Sequence, residues 1–443
     1  MGTMVLGRRA RFASLLVAAL SAACGSREPP AVEIPAQPAP PVRPPSTAAV
    51  PDAGVPAPVA LALEPPFEPP PAPPKQPFDP KRKVQSAFPF AGANASELWV
   101  MVEGTQSVVL DRKSGCITEA FDIPSALERL TGSRDAATTD AELQKPEVLA
   151  ALRAVVGFAR RFEARQFPYL LDLTFSPDGR YVYFVSDERL FRSADGARSF
   201  ARVDDFLSDR PDVSPDGKHL VYERCIHDHC TSCRKNWAPG CAADREWVTV
   251  PTSGARAPKH VSHQTSRLLD FDPRGRARFS VLDGTDIVCL ETWDLATPRL
   301  DTRSCIPVPA KATGSWPSRY WEAASPSGTY GFVHWEEGRP NRVGAVALTY
   351  VNTLVDLTTG KPVKELTDVR GDVDDDGNLV VQSAAEGGGD HTWFHPRTGA
   401  KKLLGHHAWL GWRQADKEVF LAPYRPSTLG ARKCDLVKVA KVP

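Results

Sequence analysis

Apolar residues in this chain come in short runs, and most of the runs begin behind the same kind of turn. In Phe175-Ser-Pro-Asp-Gly-Arg-Tyr-Val-Tyr-Phe184 a polar cluster leads into Tyr181, Val182, Tyr183, Phe184 and Val185. Pro177 presets φ for one turn position, and Asp178-Gly179 tolerates the positive φ that such turns need. β-Branched and aromatic residues behind a turn read as a strand. Val213-Ser-Pro-Asp-Gly-Lys-His-Leu-Val-Tyr222 is nearly a copy. Phe271-Asp-Pro-Arg-Gly-Arg-Ala-Arg-Phe279, Ala324-Ser-Pro-Ser-Gly-Thr-Tyr-Gly-Phe-Val333 and Val373-Asp-Asp-Asp-Gly-Asn-Leu-Val-Val381 are looser ones. The turn glycines Gly179, Gly217, Gly275, Gly328 and Gly377 lie about 38 to about 58 residues apart, the length of one four-stranded blade.

Two weaker copies flank these: Phe90-Ala-Gly-Ala-Asn-Ala-Ser-Glu-Leu-Trp-Val-Met101 and Leu410-Gly-Trp-Arg-Gln-Ala-Asp-Lys-Glu-Val-Phe-Leu421. The pattern predicts an all-β fold, a β-propeller of about seven four-stranded blades over residues 85–443. The Phe-Ser-Pro-Asp-Gly-Arg phrase before a strand resembles the WD40-like (PD40) repeats of TolB-type propellers. The extra N-terminal α/β domain of TolB is not seen, so its partners are not carried over. Leu190-Phe-Arg-Ser-Ala-Asp-Gly-Ala-Arg-Ser-Phe-Ala-Arg-Val203 resembles the Asp-box hairpin of sialidase-type propellers at Ser193, Asp195, Gly196 and Phe200, with Ala197 in place of a Gly. That motif is structural, and sialidase activity is not implied.

The N-terminus differs. Arg8, Arg9 and Arg11 precede an apolar stretch from Phe12 to Ala23, too short to span a bilayer. It ends at Ser21-Ala22-Ala23-Cys24, which resembles the lipobox of bacterial lipoproteins, with Ser21 departing from the usual Leu. The resemblance implies a signal peptide over 1–23, lipidation of Cys24 and a membrane contact through the lipid anchor. Gly25 in place of Asp favours the outer membrane over inner-membrane retention. An ordinary signal peptide cut near Ala23 is the alternative. Residues 24–84 are dense in proline, as in Pro65-Pro-Phe-Glu-Pro-Pro-Pro-Ala-Pro-Pro74. Proline removes backbone donors and favours polyproline II, so this reads as a disordered spacer rather than a core. Its proline-dense part from Glu28 to about Pro80, some fifty residues at about 3.1 Å each, reaches roughly 150 Å.

Composition then narrows the partners. With 54 basic and 53 acidic residues the net charge is +1, so nucleic acid is not an expected partner. An envelope protein or a glycan is. A helical insertion is expected over 122–166, best formed from Pro146 to Ala164, where Val148, Leu149, Leu152, Val155, Val156, Ala159 and Phe162 recur at helical spacing. Its opposite face carries Arg153, Arg160, Arg161 and Arg165, read as a solvated basic face with anion binding or a lid as the lesser alternative.

Nine cysteines less Cys24 leave eight, an even number that suits an oxidising compartment. Cys225, Cys230, Cys233 and Cys241 lie in an added loop, 225–241, with His227, His229 and Trp237. Two local disulfides are the preferred reading, and zinc held by Cys and His is the alternative. The loop is the expected binding surface. Cys289 and Cys305 flank an apparent hairpin and are expected to pair. Cys116 and Cys434 fall in the first and last blades, where a disulfide would staple the ring. Asp372, Asp374 and Asp376 before Gly377 have the D-x-D-x-D-G spacing of a calcium loop, but Ser383 stands where the bidentate Glu belongs. Turn duty is the preferred role for the stretch. No cofactor is expected beyond those two metals.

Three functions follow. A non-catalytic, envelope-anchored propeller that binds a partner is preferred. A hydrolase or lyase using the funnel, metal-dependent or not, is the second, though no G-x-S-x-G elbow occurs. A permanent structural subunit of an envelope complex is the third.

Overall fold

The repeated turn closes the same way five times. The amide of Gly179 donates to the carbonyl of Ser176 at 2.8 Å, and Gly217, Gly275, Gly328 and Gly377 donate to Ser214, Asp272, Ser325 and Asp374. The residue at that first position also caps the turn with its side chain. Ser176 Oγ accepts from the amide of Tyr181 at 2.9 Å, Ser214 Oγ from His219 at 3.0 Å and Ser325 Oγ from Tyr330 at 3.1 Å. Each glycine sits at positive φ, between 71° and 81°, where a side chain would be strained.

The computed structural model describes residues 67–71, 74–79, 81 and 87–443, except 103–105, 123–124, 129, 131–135, 169–171, 187, 205–206, 208–210, 226–244, 254–258, 263–265, 285–286, 310–318, 341–345, 384–388, 414–416, 424–433 and 435. The described strands form six antiparallel sheets, each in sequence order. Sheet I holds β1 (Ala87–Ala93), β2 (Glu97–Val102), β3 (Gln106–Asp111) and β4 (Ile117–Asp122). Three helices follow, α1 (Ser125–Glu128), α2 (Ala136–Leu143) and α3 (Pro146–Arg161). Sheet II holds β5 (Gln166–Pro168), β6 (Asp172–Phe175), β7 (Val182–Ser186), β8 (Arg189–Ser193) and β9 (Ala201–Asp204). Sheet III holds β10 (Asp212–Val213), β11 (His219–Cys225), β12 (Arg245–Pro251) and β13 (Lys259–Ser262). Sheet IV holds β14 (Ser266–Phe271), β15 (Ala277–Asp283), β16 (Ile287–Asp294) and β17 (Arg299–Pro307). Sheet V holds β18 (Arg319–Ala324), β19 (Tyr330–Pro340), β20 (Val346–Asp356) and β21 (Lys361–Thr367). Sheet VI holds β22 (Val369–Val373), β23 (Leu379–Ser383), β24 (Asp390–Phe394), β25 (Lys401–Arg413), β26 (Glu418–Pro423) and β27 (Lys438–Lys441).

Successive sheets pack face to face, which explains why the middle strands are apolar without alternation. A strand covered on both faces buries odd and even residues alike. All five residues of β7 are buried. Val182 and Phe184 join the core shared with sheet I, while Tyr183 and Val185 join the core shared with sheet III. Leu220 and Tyr222 likewise face sheet II and Val221 faces sheet IV. Each fully buried side chain of this size contributes about 1.5–3 kcal/mol. The ring closes where Leu98 and Val100 of β2 share a core with Phe420 of β26, Leu436 and Val437. The first strands of neighbouring sheets face one another, β14 beside β18 and β18 beside β22. The protein is therefore a β-propeller whose first strands line the channel.

Several expectations need correction. Among the described residues there are six sheets rather than the seven blades expected. The unit at Leu410–Leu421 does not stand alone, because β25 runs on without a turn. Its residues up to His406 pair with β24, and those from His407 pair with β26. The two halves of sheet VI then fold together over Val380, Trp393, Leu404, Val419 and Leu421. The helical segment expected over 122–166 stands between sheets I and II as three helices packed into their shared core. Val148, Leu152, Val155, Val156 and Phe158 of α3 lie in the core between sheets I and II. Arg161 of its basic face is not solvated, for it pairs with Glu97 at 2.5 Å and with Glu119 at 2.7 Å. Finally, the end of the proline-rich stretch is ordered against the propeller. Phe67 lies under the Arg180 guanidinium at 5.5 Å, and Pro77 bridges to Glu119.

Candidate binding site at the channel mouth

The first strands β14, β18 and β22 carry charged and polar groups, and Arg267, Tyr320 and Arg370 each stand one residue in from the end away from the turn. Arg267 and Asp270 come from β14, Tyr320 and Glu322 from β18, and Arg370 and Asp372 from β22. Register adds His334, paired with Tyr320 across β18–β19, and Tyr350, paired with Glu336 across β19–β20.

These side chains form a ladder of stacked planar groups. The Arg267 guanidinium lies 5.1 Å from the Tyr320 ring. Tyr320 lies 4.9 Å from His334, and His334 lies 5.5 Å from Tyr350. Arg370 completes it, 5.7 Å from the Tyr350 ring. Cation–π contacts of this kind contribute about 0.5–1 kcal/mol each and hold the guanidinium plane. His334 is buried, and its Nδ1 lies 3.0 Å from Asn352 Oδ1. Asn352 in turn donates to the Val369 carbonyl. Burial holds His334 below its usual pKa, against the pull of that hydrogen bond, so the ring in the ladder is neutral.

Glu322 lies beneath the ladder. Its Oε1 accepts from the amide of Gly371 at 3.3 Å, while Oε2 is shielded from solvent and has no described partner. Gly371 is required there, because a Cβ would stand 2.1 Å from the Val380 carbonyl. Burial pushes the Glu322 carboxyl up to about 7, although the Gly371 amide and the charges of Arg370 and Arg267 pull it down. Asp372 is pushed up to about 6 by burial, with Asp270 adding like-charge repulsion. Asp270 itself is paired with Arg278. Arg267 and Arg370 are exposed and make no ion pair with a described carboxylate.

The cysteine-rich loop springs from the same end. Its roots, Cys225 and Arg245, are paired at the tip of the β11–β12 ladder. Trp247, two residues along β12, donates from Nε1 to the carbonyl of Ser266, next to Arg267. Cys230, Cys233, Cys241, His227, His229 and Trp237 lie outside the described residues, as do Cys24 and the segment before Phe67. The other cysteines are placed. Cys116 and Cys434 form a disulfide with Sγ atoms 1.95 Å apart, and Cys289 and Cys305 form one across β16–β17.

The aspartate triplet is not gathered into a metal cage. Asp374 occupies the turn-capping position, its Oδ1 accepting from the amides of Asp376 and Asn378 at 3.0 and 2.7 Å. Asp372 belongs to the channel group, and Asp376 is exposed. Among the described residues no three His, Cys, Asp or Glu side chains come together in a way that would hold a metal ion. The hairpin around Asp195 acts as a turn clamp. Asp195 Oδ1 accepts from the amides of Arg198 and Ser199 at 2.9 and 3.1 Å.

The channel group was not singled out by the sequence. Its five ladder members come from three sheets, and no spacing links them. The only local signal is polar residues such as Arg267, Glu322 and Arg370 on strands that open a blade.

No family model matches the chain. No curated protein matches it. Among solved structures it is similar to the β-propeller domain of the trilobed protease from Pyrococcus furiosus, at 9% identity over 80% of this chain and 92% of that one, with a TM-score of 0.38. It is also similar to the WD40 domain of Pan2 from Neurospora crassa, at 11% identity over 79% of this chain and 90% of that one, with a TM-score of 0.38. Neither likeness lends the chain a ligand or an activity, and the fold rests on its own sheets.

Proposed function

We propose that the protein is a non-catalytic binding propeller of the bacterial envelope, lipid-anchored through Cys24 in the outer membrane, that holds an envelope protein or a glycan on its channel face. One observation carries the binding role. Two exposed guanidinium groups, two half-buried phenols and the roots of the cysteine-rich loop converge at one end of the channel. Concave sites with a few convergent polar groups are the usual places of ligand binding. The anchor reading rests on the lipobox-like Ser21-Ala22-Ala23-Cys24 and the proline-rich stretch behind it.

The test is crosslinking in cells followed by affinity purification from solubilised envelopes, comparing the full chain with one lacking residues 226–240. Loss of a specific partner on deletion is the expected result. Unchanged partners would remove the loop from the proposal. Labelling with a fatty-acid probe, compared with Cys24→Ala, tests the anchor separately.

A hydrolytic reading has one observation in its favour, the Glu322 carboxyl held near neutrality beside Asp372. General acids work best with a pKa near the operating pH. Turnover of any glycoside by the wild-type chain, lost in Glu322→Gln, would replace the binding reading with this one.

A further inference from the structure

We propose that Arg267 and Arg370 are the anchoring points for an acidic oligosaccharide at the channel mouth, its carboxylates taken by the two guanidinium groups and its hydroxyls by Tyr320 and Tyr350. This deepens the binding reading above and rests on it. Elsewhere in the described chain arginines of comparable placement are already committed. Arg112 pairs with Glu418, Arg161 with two glutamates, Arg224 with Glu246 and Arg278 with Asp270. Arg267 and Arg370 are instead braced on rings, Arg267 also hydrogen-bonding the Tyr320 phenol, which holds each planar fork in place with no ion pair to a described carboxylate. The ladder between them presents half-buried phenol groups, which both donate and accept, as sugar hydroxyls require. A charged, flat and rigid surface of this kind loses little entropy on binding.

Glu322 sets the strength of this field without touching the ligand. The groups facing it are Tyr320 of its own strand, Arg267 of β14, and Arg370 and Asp372 of β22, with Asp270 acting on Asp372 and itself paired with Arg278 of β15. When Glu322 is ionised it offsets one of the two positive charges. When it is protonated both act on the ligand. Acidification through the Glu322 range therefore strengthens binding of an anion, and Asp372 adds to the effect below it.

The experiment is calorimetric titration of the full chain with a trimer of galacturonic acid, with its methyl ester and with tri-glutamate. Saturable binding of the acid trimer is expected. The ester, and the variants Arg267→Gln and Arg370→Gln, should each weaken it about ten-fold, as loss of a charge-assisted hydrogen bond implies. Affinity should rise between pH 8 and pH 6.5, with proton uptake on binding, and most of that rise should vanish in Glu322→Gln. The melting temperature of each variant separates lost contact from lost fold. Three results would overturn the inference: no saturable binding, equal binding of the ester, or tighter binding of tri-glutamate. If the trimer binds while deletion of 226–240 leaves envelope partners unchanged, the clamp stands and the loop reading fails.

Discussion

The seam that closes the ring and the mouth of the channel are built from the same residue types, and they use them in opposite ways. At the seam Arg112 donates to Glu418 at 2.8 Å and Lys441 also reaches Glu418 at 2.6 Å, and on sheet I next to it Arg161 of α3 bridges Glu97 and Glu119. Burial alone would raise Glu97 and Glu418, yet their partners hold both carboxyls below the usual range. At the mouth Arg267 and Arg370 lean on rings, and the nearby Glu322 and Asp372 are pushed up instead. Paired charges hold the fold together. At the mouth the exposed guanidinium groups rest on rings instead.

The contrast can be broken most forcefully at the seam. The Cys116–Cys434 disulfide spans 318 residues of sequence, against 16 for Cys289–Cys305. By the loop-entropy argument its removal costs about 5 kcal/mol and that of the shorter bridge about 3 kcal/mol. Denaturant melts of Cys116→Ser with Cys434→Ser, and of Cys289→Ser with Cys305→Ser, would show the order. Equal losses would mean that the seam is held by its core and ion pairs alone.

Arg161→Leu comes next. It strands two largely buried carboxylates, so about 3 kcal/mol of stability should be lost at neutral pH. Because Glu97 is depressed in the folded chain, its contribution is present above the ordinary carboxylate range and lost as pH falls through the depressed value. The variant should therefore flatten the acid limb of a stability profile. An unchanged acid limb would show that the pair contributes nothing.

Glu322→Gln has the smallest effect and the opposite sign. The folded chain holds the Glu322 proton up to about 7, while the unfolded chain releases it in the ordinary carboxylate range. Between those values the native state binds more protons, so stability falls as pH rises through this window. Removing the charge should stabilise the protein above pH 7 by about 1–2 kcal/mol and leave it unchanged near pH 4. Lost stability above pH 7 would place Glu322 with the seam glutamates rather than against them.

How much of this was legible depends on how local the cause is. The turn unit was legible because Ser176, Pro177, Asp178 and Gly179 act within one hydrogen-bonded loop, and the strand behind it is a simple run. The pairings of Cys116 with Cys434 and Cys289 with Cys305 followed from placing strands in a ring and a hairpin. The count of sheets did not follow, because nothing in the composition of β25 shows that one strand would serve two partners. Arg161 was read as solvated because its helix is amphipathic, but only packing brings Glu97 and Glu119 beneath it. The aspartates at 372, 374 and 376 share a spacing, and backbone direction divides them between a channel and a turn.

The chain alone determined what short-range chemistry can decide: where turns close, which runs become strands, and that the strands repeat as blades. Proline, glycine and a capping hydroxyl act over a few residues, so their meaning survives without a fold. Which charges are paired and which are held apart was decided by the tertiary structure. Arg267, Tyr320, His334, Tyr350 and Arg370 belong to five strands of three sheets. Their stacking depends on blade rotation and strand register, and a pKa near 7 at Glu322 exists only because other strands exclude water from it.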